Sequence, residues 1–341
     1  MLETLWFVLW GVLWGLYFIL DGFDLGLGSL LPFLGRTEED RRSIYNAMGP
    51  FWDGNEVWLI TAGGVTFAAF PVTYAVMFSG LYTALMLLLF ALIFRGVAFE
   101  FRSKVESACW RKIWDGAMTL GSFLPALLFG VAFANIFYGL PIDADGVIHA
   151  NVFQLLHPYG LAGGVFFVLL FATHGAIWLA LRSGGDLHER AAGMARKLWL
   201  PVAVYTGVFL LITLLLTKVN GNYLARPYLA VLLLLPFLGL YIGGRNLYAG
   251  RYWSAWAGSA LTIGGSALCA VIGLFPALLP SSLDPHFSLT IYNSASSPLT
   301  LKIMLGVVLV FVPLVLLYQA WVYKTFSHRL SRKDLDYEEA Y

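Results

Sequence analysis

The feature that most constrains this chain is a succession of long apolar stretches separated by short polar ones. Crossing about 30 Å of hydrocarbon takes about 20 mostly apolar helical residues. Nine stretches approach that length: 5–31, 52–70, 74–99, 113–138, 153–181, 198–217, 227–242, 252–279 and 299–323. Only a turn around Pro71 separates the second from the third, and the seventh is short, so eight is the nearest competing count. Composition agrees: 59% of residues are hydrophobic and 12% charged, about half the charge of an ordinary soluble domain. A soluble globular chain is excluded, and 26 Phe, 17 Tyr and 12 Trp exclude disorder. A formal net charge of +1 offers no concentrated basic face to nucleic acid. No basic residue precedes the first stretch and no small-residue cleavage site follows it, so it is expected to remain as a membrane helix.

Loop charge decides between the counts, because Lys and Arg are retained on the cytoplasmic side. With nine spans, 17 of the 21 basic residues fall in loops on one side, including Arg36, Arg41, Arg42, Arg102, Lys104, Arg111, Arg182 and Arg190. Lys218, Arg226 and Lys302 fall on the other, and Arg95 lies within the third span. The expected fold is therefore an all-α integral membrane protein of about nine transmembrane helices, N-terminus outside and C-terminus cytoplasmic. Two four-helix bundles (1–140 and 153–281), a peripheral ninth helix (299–325) and a cytoplasmic tail (326–341) are expected within one polytopic membrane domain. Phe-Leu-Pro-Ala-Leu-Leu at 123–128 and Leu-Phe-Pro-Ala-Leu-Leu at 274–279 would occupy equivalent helix positions if the halves arose by duplication.

Ionisable residues inside a bilayer are costly, at least about 2.5 kcal/mol each, and here they are gathered. Asp21 and Asp24 lie in the first span, Asp53 and Glu56 in the second, Arg95 and Glu100 in the third, and Asp115 opens the fourth. The last five spans hold no carboxylate. At about 1.5 Å rise per residue, Asp21 and Asp24 lie roughly 24–30 Å from the outer end of their helix. All of these acids converge on the cytoplasmic side of the first bundle. Residues three or four apart share a helix face, which pairs Asp21 with Asp24, Asp53 with Glu56, and Glu100 with Lys104. Carboxylates in a dry setting can hold and pass a proton; the alternative is a set of interfacial charges paired with Arg95, Lys104 and headgroups.

The remaining chemistry is read mainly by what is missing. A six-coordinate b-type haem needs two facing axial ligands, and His174 is the one histidine clearly inside a span, expected to be satisfied by a neighbour. No haem is expected in this chain alone, no metal site is expected, and Cys109 and Cys269 read as separate thiols. There is no P-loop, HExxH or GxSxG. Gly22, Gly26 and Gly28, and Gly63 with Gly64, read as close helix contacts.

Several blocks closely resemble subunit II of the bacterial cytochrome bd quinol oxidases. They are Asp-Gly-Phe-Asp-Leu-Gly-Leu-Gly at 21–28, Trp-Asp-Gly-Asn-Glu-Val-Trp-Leu-Ile-Thr-Ala-Gly-Gly at 52–64, Phe-Arg-Gly-Val-Ala-Phe-Glu-Phe-Arg-Ser-Lys at 94–104 and Gly-Ser-Phe-Leu-Pro at 121–125. Pro-Ser-Ser at 280–282, Ser-Leu-Thr at 288–290 and Ser-Ser-Pro-Leu-Thr-Leu at 296–301 extend the likeness nearly end to end. The resemblance implies a heteromeric complex of the bacterial plasma (inner) membrane, in which a larger subunit I carries two b-type haems and one d-type haem. Quinol would be oxidised outside and oxygen reduced to water with cytoplasmic protons; a very small single-span subunit often joins, and a structural quinone is known in the family. This subunit would hold no catalytic residue, its surroundings being membrane lipids and quinol. The resemblance carries a proton path onto Asp24, Asp53, Glu100 and Lys104, with Trp52 ordering it; Asp21 and Glu56 support it by position. Glu100 stands where some members have Asp, which keeps the chemistry and changes the reach, and the outer segment 218–227 is shorter than in some relatives. Two other functions fit the acids: a proton-coupled secondary transporter, which expects broken helices meeting at the midplane, and a passive scaffold for the haem subunit.

Overall fold

The structure, a computed structural model, describes residues 1–330 and Asp334; the rest of the tail, with Arg332 and Lys333 of the charge count, lies outside the described residues. Helices α1 (Leu2–Leu20) and α2 (Gly22–Leu34) form one long span interrupted only at Asp21. A polar helix α3 (Glu38–Met48) follows, started by a capping box: the Thr37 hydroxyl accepts from the Asp40 N–H and the Asp40 carboxylate accepts from the Thr37 N–H. Then come α4 (Trp52–Ala69), α5 (Pro71–Gly80), α6 (Tyr82–Phe101), α7 (Ala108–Tyr138), the short α8 (Val152–Leu155), α9 (Pro158–Arg182) and α10 (Gly185–Leu216). A short α11 (Asn220–Ala225) and a 3-10 turn (Pro227–Leu234) lead into α12 (Leu235–Tyr248) and α13 (Tyr252–Leu274). A two-stranded ribbon, β1 (Ala277–Leu279) with β2 (Leu289–Thr290), precedes α14 (Pro298–Thr325).

Among the described residues eight helical spans are long and apolar enough to cross a membrane, and the bent pair α4–α5 brings the number to nine. The expected third span, 74–99, is corrected: Pro71 starts a separate helix bent 119° from α4, and α5 packs against the ribbon, so α6 alone makes that crossing. The eighth span stops at Leu274 rather than at 279. Its last apolar residues leave the helix, Phe275-Pro276 is cis and 277–279 form β1. The proposed repeat fails for the same reason, since 123–128 lie inside α7 while 274–279 lie almost wholly outside α13.

Hydrogen bonds group the loops into two ends, as alternate crossings require. At one end Arg102 joins Glu38, Arg190 joins Asp40, and the Leu330 N–H donates to the Arg182 carbonyl. At the other, Leu140 N–H donates to the Pro280 carbonyl and Ser296 N–H to the Ala69 carbonyl. The first end is the arginine-rich one. Helix α9 is the central element, 78% buried over its apolar window and in contact with α2, α7, α10 and α13. The α2–α9 crossing is backbone on backbone: a Cβ on Gly26 would overlap the Phe171 carbonyl, and one on Gly175 would lie 2.6 Å from the Leu27 nitrogen. Membrane helices have little hydrophobic drive to associate, so this closeness supplies the contact. Gly22 and Gly28 also face neighbours, Phe171 and Ser122; a Cβ on Gly63 or Gly64, expected as contacts, would meet no other element within 4 Å among the described residues. Helix α14 is the opposite of α9, with 6% of its window buried.

Candidate functional site

The break between α1 and α2 places Asp21 and Asp24 opposite α4 and α6, and both carboxylates are fully buried. A buried charge persists only when paired. Arg95, on α6 and equally buried, supplies the partner: its Nη2 donates to Asp21 Oδ1 at 2.7 Å and to Glu56 Oε1 at 2.5 Å. Glu56 retains 24% side-chain exposure, so this ion-pair chain runs from a half-open carboxylate on α4 to a closed one on the first span. Asp24, one turn beyond Asp21, accepts from Asn55 Nδ2 at 2.7 Å, and Asn55 Oδ1 accepts from the Tyr323 hydroxyl at 3.0 Å. Asp21 Oδ2, Asp24 Oδ1, Arg95 Nε and Arg95 Nη1 have no hydrogen-bond partner among the described residues.

Asp53, Glu100 and Lys104 lie outside this chain of bonds. All three are exposed. Asp53 accepts from its neighbour's N–H, that of Gly54, at 2.7 Å. The same-face argument for Glu100 and Lys104 fails because α6 ends at Phe101, before Lys104. What joins the two surfaces is Trp52, whose ring stacks on Phe99 with centroids 4.8 Å apart and planes 8° off parallel. Asp53 follows one stacked ring in sequence and Glu100 the other, so both acids start from the same α4–α6 seam.

Asp115 belongs elsewhere. It receives Arg41 and Arg102, each at 2.6 Å, and Arg102 also grips Glu38 through two N–H groups at 2.9 and 3.0 Å. The Arg102 guanidinium lies over the Tyr45 ring, 5.0 Å from its centre. Burial works against ionising Glu38, but Arg102 and Arg111 outweigh it and hold the carboxyl below the ordinary range. This second cluster fastens α3 across the ends of α6 and α7. Charge-assisted bidentate pairs fix orientation, which suits a structural clasp.

His174 is engaged through both ring nitrogens. Nε2 lies 3.1 Å from the Ile19 carbonyl, which can only accept, so Nε2 carries the proton; Nδ1 lies 2.6 Å from the Ser259 hydroxyl, which also donates to the Trp256 carbonyl at 2.8 Å. Both ring nitrogens are thus occupied by partners within this chain. Among the described residues no three His, Cys, Asp or Glu gather to hold a metal, and Cys109 and Cys269 are free thiols. Sequence reasoning passed over Asn55, although it sits inside the 52–64 block, and over Gln319 and Tyr323. The available signal was a Gln and a Tyr four apart at the end of an otherwise apolar helix.

Fold and site together define a polytopic helical membrane protein with a buried ion-paired cluster near its arginine-rich end. The sequence model described as Cytochrome bd terminal oxidase subunit II matches residues 2–326, and the chain belongs to that family. It is 38% identical to Cytochrome bd-I ubiquinol oxidase subunit 2 of Escherichia coli (strain K12), over 98% of this chain and 97% of that protein. It is 41% identical to Cytochrome bd ubiquinol oxidase subunit 2 of Bacillus subtilis (strain 168), over 98% of each. A solved bd oxidase from Geobacillus thermodenitrificans shares the fold, with TM-score 0.77 at 17% identity over 95% of this chain and 98% of that one. The chain is accordingly a respiratory oxidase subunit and a multi-pass protein of the bacterial inner membrane.

Proposed function

We propose that this subunit pairs with a haem-bearing subunit I in a quinol:oxygen oxidoreductase and supplies part of its cytoplasmic proton-uptake path. The observation that carries the reading is the gradient of exposure along one set of acids. Asp53 and Glu100 are open, Glu56 is half-open, and Asp21 and Asp24 are closed. Glu56 lies about 4.5 Å along α4 from Asp53, by helical rise, and Arg95 links it to Asp21. Protons would enter at Asp53 and Glu100, with Lys104 and the Trp52 ring at the mouth, and pass inward toward Asp24. The two b-type haems and one d-type haem belong to the partner and supply the electron transfer and oxygen chemistry. His174, closed by hydrogen bonds at both nitrogens, does not suit an axial ligand. A midplane transporter site finds no support, because the acids lie near one end and the second half contributes none to the cluster.

The cofactor assignment is tested by spectra. Expressed alone, the chain should show no haem absorption, and the bands should appear only on co-expression with the haem subunit. Stoichiometric haem in the isolated chain, lost on changing His174, would overturn it.

The path opens to the cytoplasm only if the arginine-rich end faces inward, as the loop charges favour. In a Cys109→Ser background, which removes the exposed native thiol, Ser103→Cys should react with an impermeant thiol reagent only from the cytoplasm and Asp145→Cys only from outside. Both positions are exposed and lie in loops of opposite ends. Labelling of both from one face would reject the orientation.

A further inference from the structure

We propose that Tyr323 of α14 is a positioning residue for Asp24, acting through the Asn55 carboxamide, an inference that rests on Asp24 belonging to the proton path. Helix α14 packs only lightly: of its 28 residues only Leu301 and Gln319 are buried, with Met304, Leu305, Val308, Val312, Val315 and Val322 partly buried against the core. Polar contacts add to that hold. Near its start the Trp6 indole donates to the Leu301 carbonyl at 3.1 Å. Near its end Gln319 donates to the Gly54 carbonyl and accepts from the Trp58 indole, both at 2.9 Å. Tyr323, four residues on and so on the same face, reaches Asn55.

The consequence lies in the amide. A carboxamide has one accepting end and one donating end. With the Tyr323 hydroxyl donating to Oδ1, the amino end is presented to Asp24, which suits an ionised carboxylate. The reverse orientation would set Oδ1 against that carboxylate, acceptor against acceptor. Once Asp24 takes a proton its hydroxyl must donate, and a rotated Asn55 can accept it while donating to Tyr323, because a phenol accepts as well as donates. Asn55 and Tyr323 together therefore offer the Oδ2 side of this fully buried acid a matched partner in either protonation state, and an unmatched buried polar group is what makes one state of such an acid costly. The charged groups around Asp24 are Asp21 at the α1–α2 break, Glu56 on α4 and Arg95 on α6; none of them contacts its Oδ2, which Asn55 holds.

Tyr323→Phe isolates the hydroxyl. The ring stays packed against Phe51 at 4.6 Å and Trp178 at 5.8 Å, and Gln319 still pins the helix. Purified complexes carrying Tyr323→Phe, Asp24→Asn or both should be compared for quinol-driven oxygen uptake per haem across pH. Losing one hydrogen bond that matters in the rate-limiting state is expected to lower kcat about threefold to tenfold. Haem content and the KM for quinol should be unchanged, the pH profile should move, and no further loss should appear in the Asp24→Asn background. Wild-type kcat and pH profile in Tyr323→Phe, beside an impaired Asp24→Asn, would overturn the inference while leaving the proton path standing. Additive losses in the double variant would also overturn it, since they would reflect a loosened α14. Full turnover in Asp24→Asn would instead bring down the proton-path reading on which the inference rests.

Discussion

Replacing Arg95 with leucine is expected to abolish accumulation of the assembled complex. Arg95 is fully buried and is ion-paired to two carboxylates, Asp21 and Glu56. Removing one partner of a buried ion pair costs about 3–5 kcal/mol, mainly because the other charge is left unpaired in a dry setting. Here two charges lose their partner at once, against a total stability of about 5–15 kcal/mol for a typical domain. The measurements are the yield of haem-loaded complex from membranes and its thermal unfolding midpoint. Neutralising the abandoned acids should restore most of the yield, so Arg95→Leu combined with Asp21→Asn and Glu56→Gln should accumulate although Arg95→Leu alone does not. A single variant that accumulates normally and unfolds at the wild-type temperature would show that the buried pair is not what holds α6 to the first span.

Asp53→Asn and Glu100→Gln should do the reverse, sparing assembly and slowing turnover. Both side chains are exposed, Asp53 accepts from the Gly54 N–H, and among the described residues neither is ion-paired in the Arg95 or Arg102 clusters. The amides keep size and hydrogen-bonding capacity while removing the group that titrates. A barrier raised by about 1.4 kcal/mol slows a rate-limiting step about tenfold, and losing a carrier at the mouth of a dry path should add at least that much. Oxygen uptake per haem in purified complexes is expected to fall at least about tenfold at unchanged haem content, with Asp145→Asn in the opposite end's exposed loop as an unaffected control. Full activity in both variants would favour the passive scaffold, and loss of haem would assign these residues to assembly.

The spans and the location of the acids were legible because both are local properties of the chain. Hydropathy over 20 residues marks a crossing whatever surrounds it, and Asp21, Asp24 and Glu56 stand out in a bilayer wherever their partners are. The misreadings arose where apolar character alone had to choose a conformation. Residues 275–279 are as apolar as a helix end, and a short apolar run fits strand and helix equally; only the Phe275-Pro276 turn and pairing with β2 decide it. At Phe70-Pro71 the chain turns through 119°, which hydropathy averaged over a window cannot register. Lys104 was placed on the Glu100 face by spacing that holds only while the helix lasts. Asn55 and Tyr323 were missed for a different reason: they are 268 residues apart, and neither means anything until the fold brings them together.

The bare crossing of α2 over α9 bears on how this protein meets membranes of different thickness. Gly26 sits two residues from Asp24, and at that point no side chain intervenes that could change rotamer and let the helices slide or tilt. A helix that must adapt to a thinner or thicker bilayer does so by tilting or bending, at a fraction of a kcal/mol per Å. With α2 and α9 in backbone contact at this level, such adjustment is expected to fall to the outer halves of the spans. The spacing between the first span and α9 beside the buried acids is thereby insulated from lipid composition, while the lipid-facing rim absorbs the mismatch.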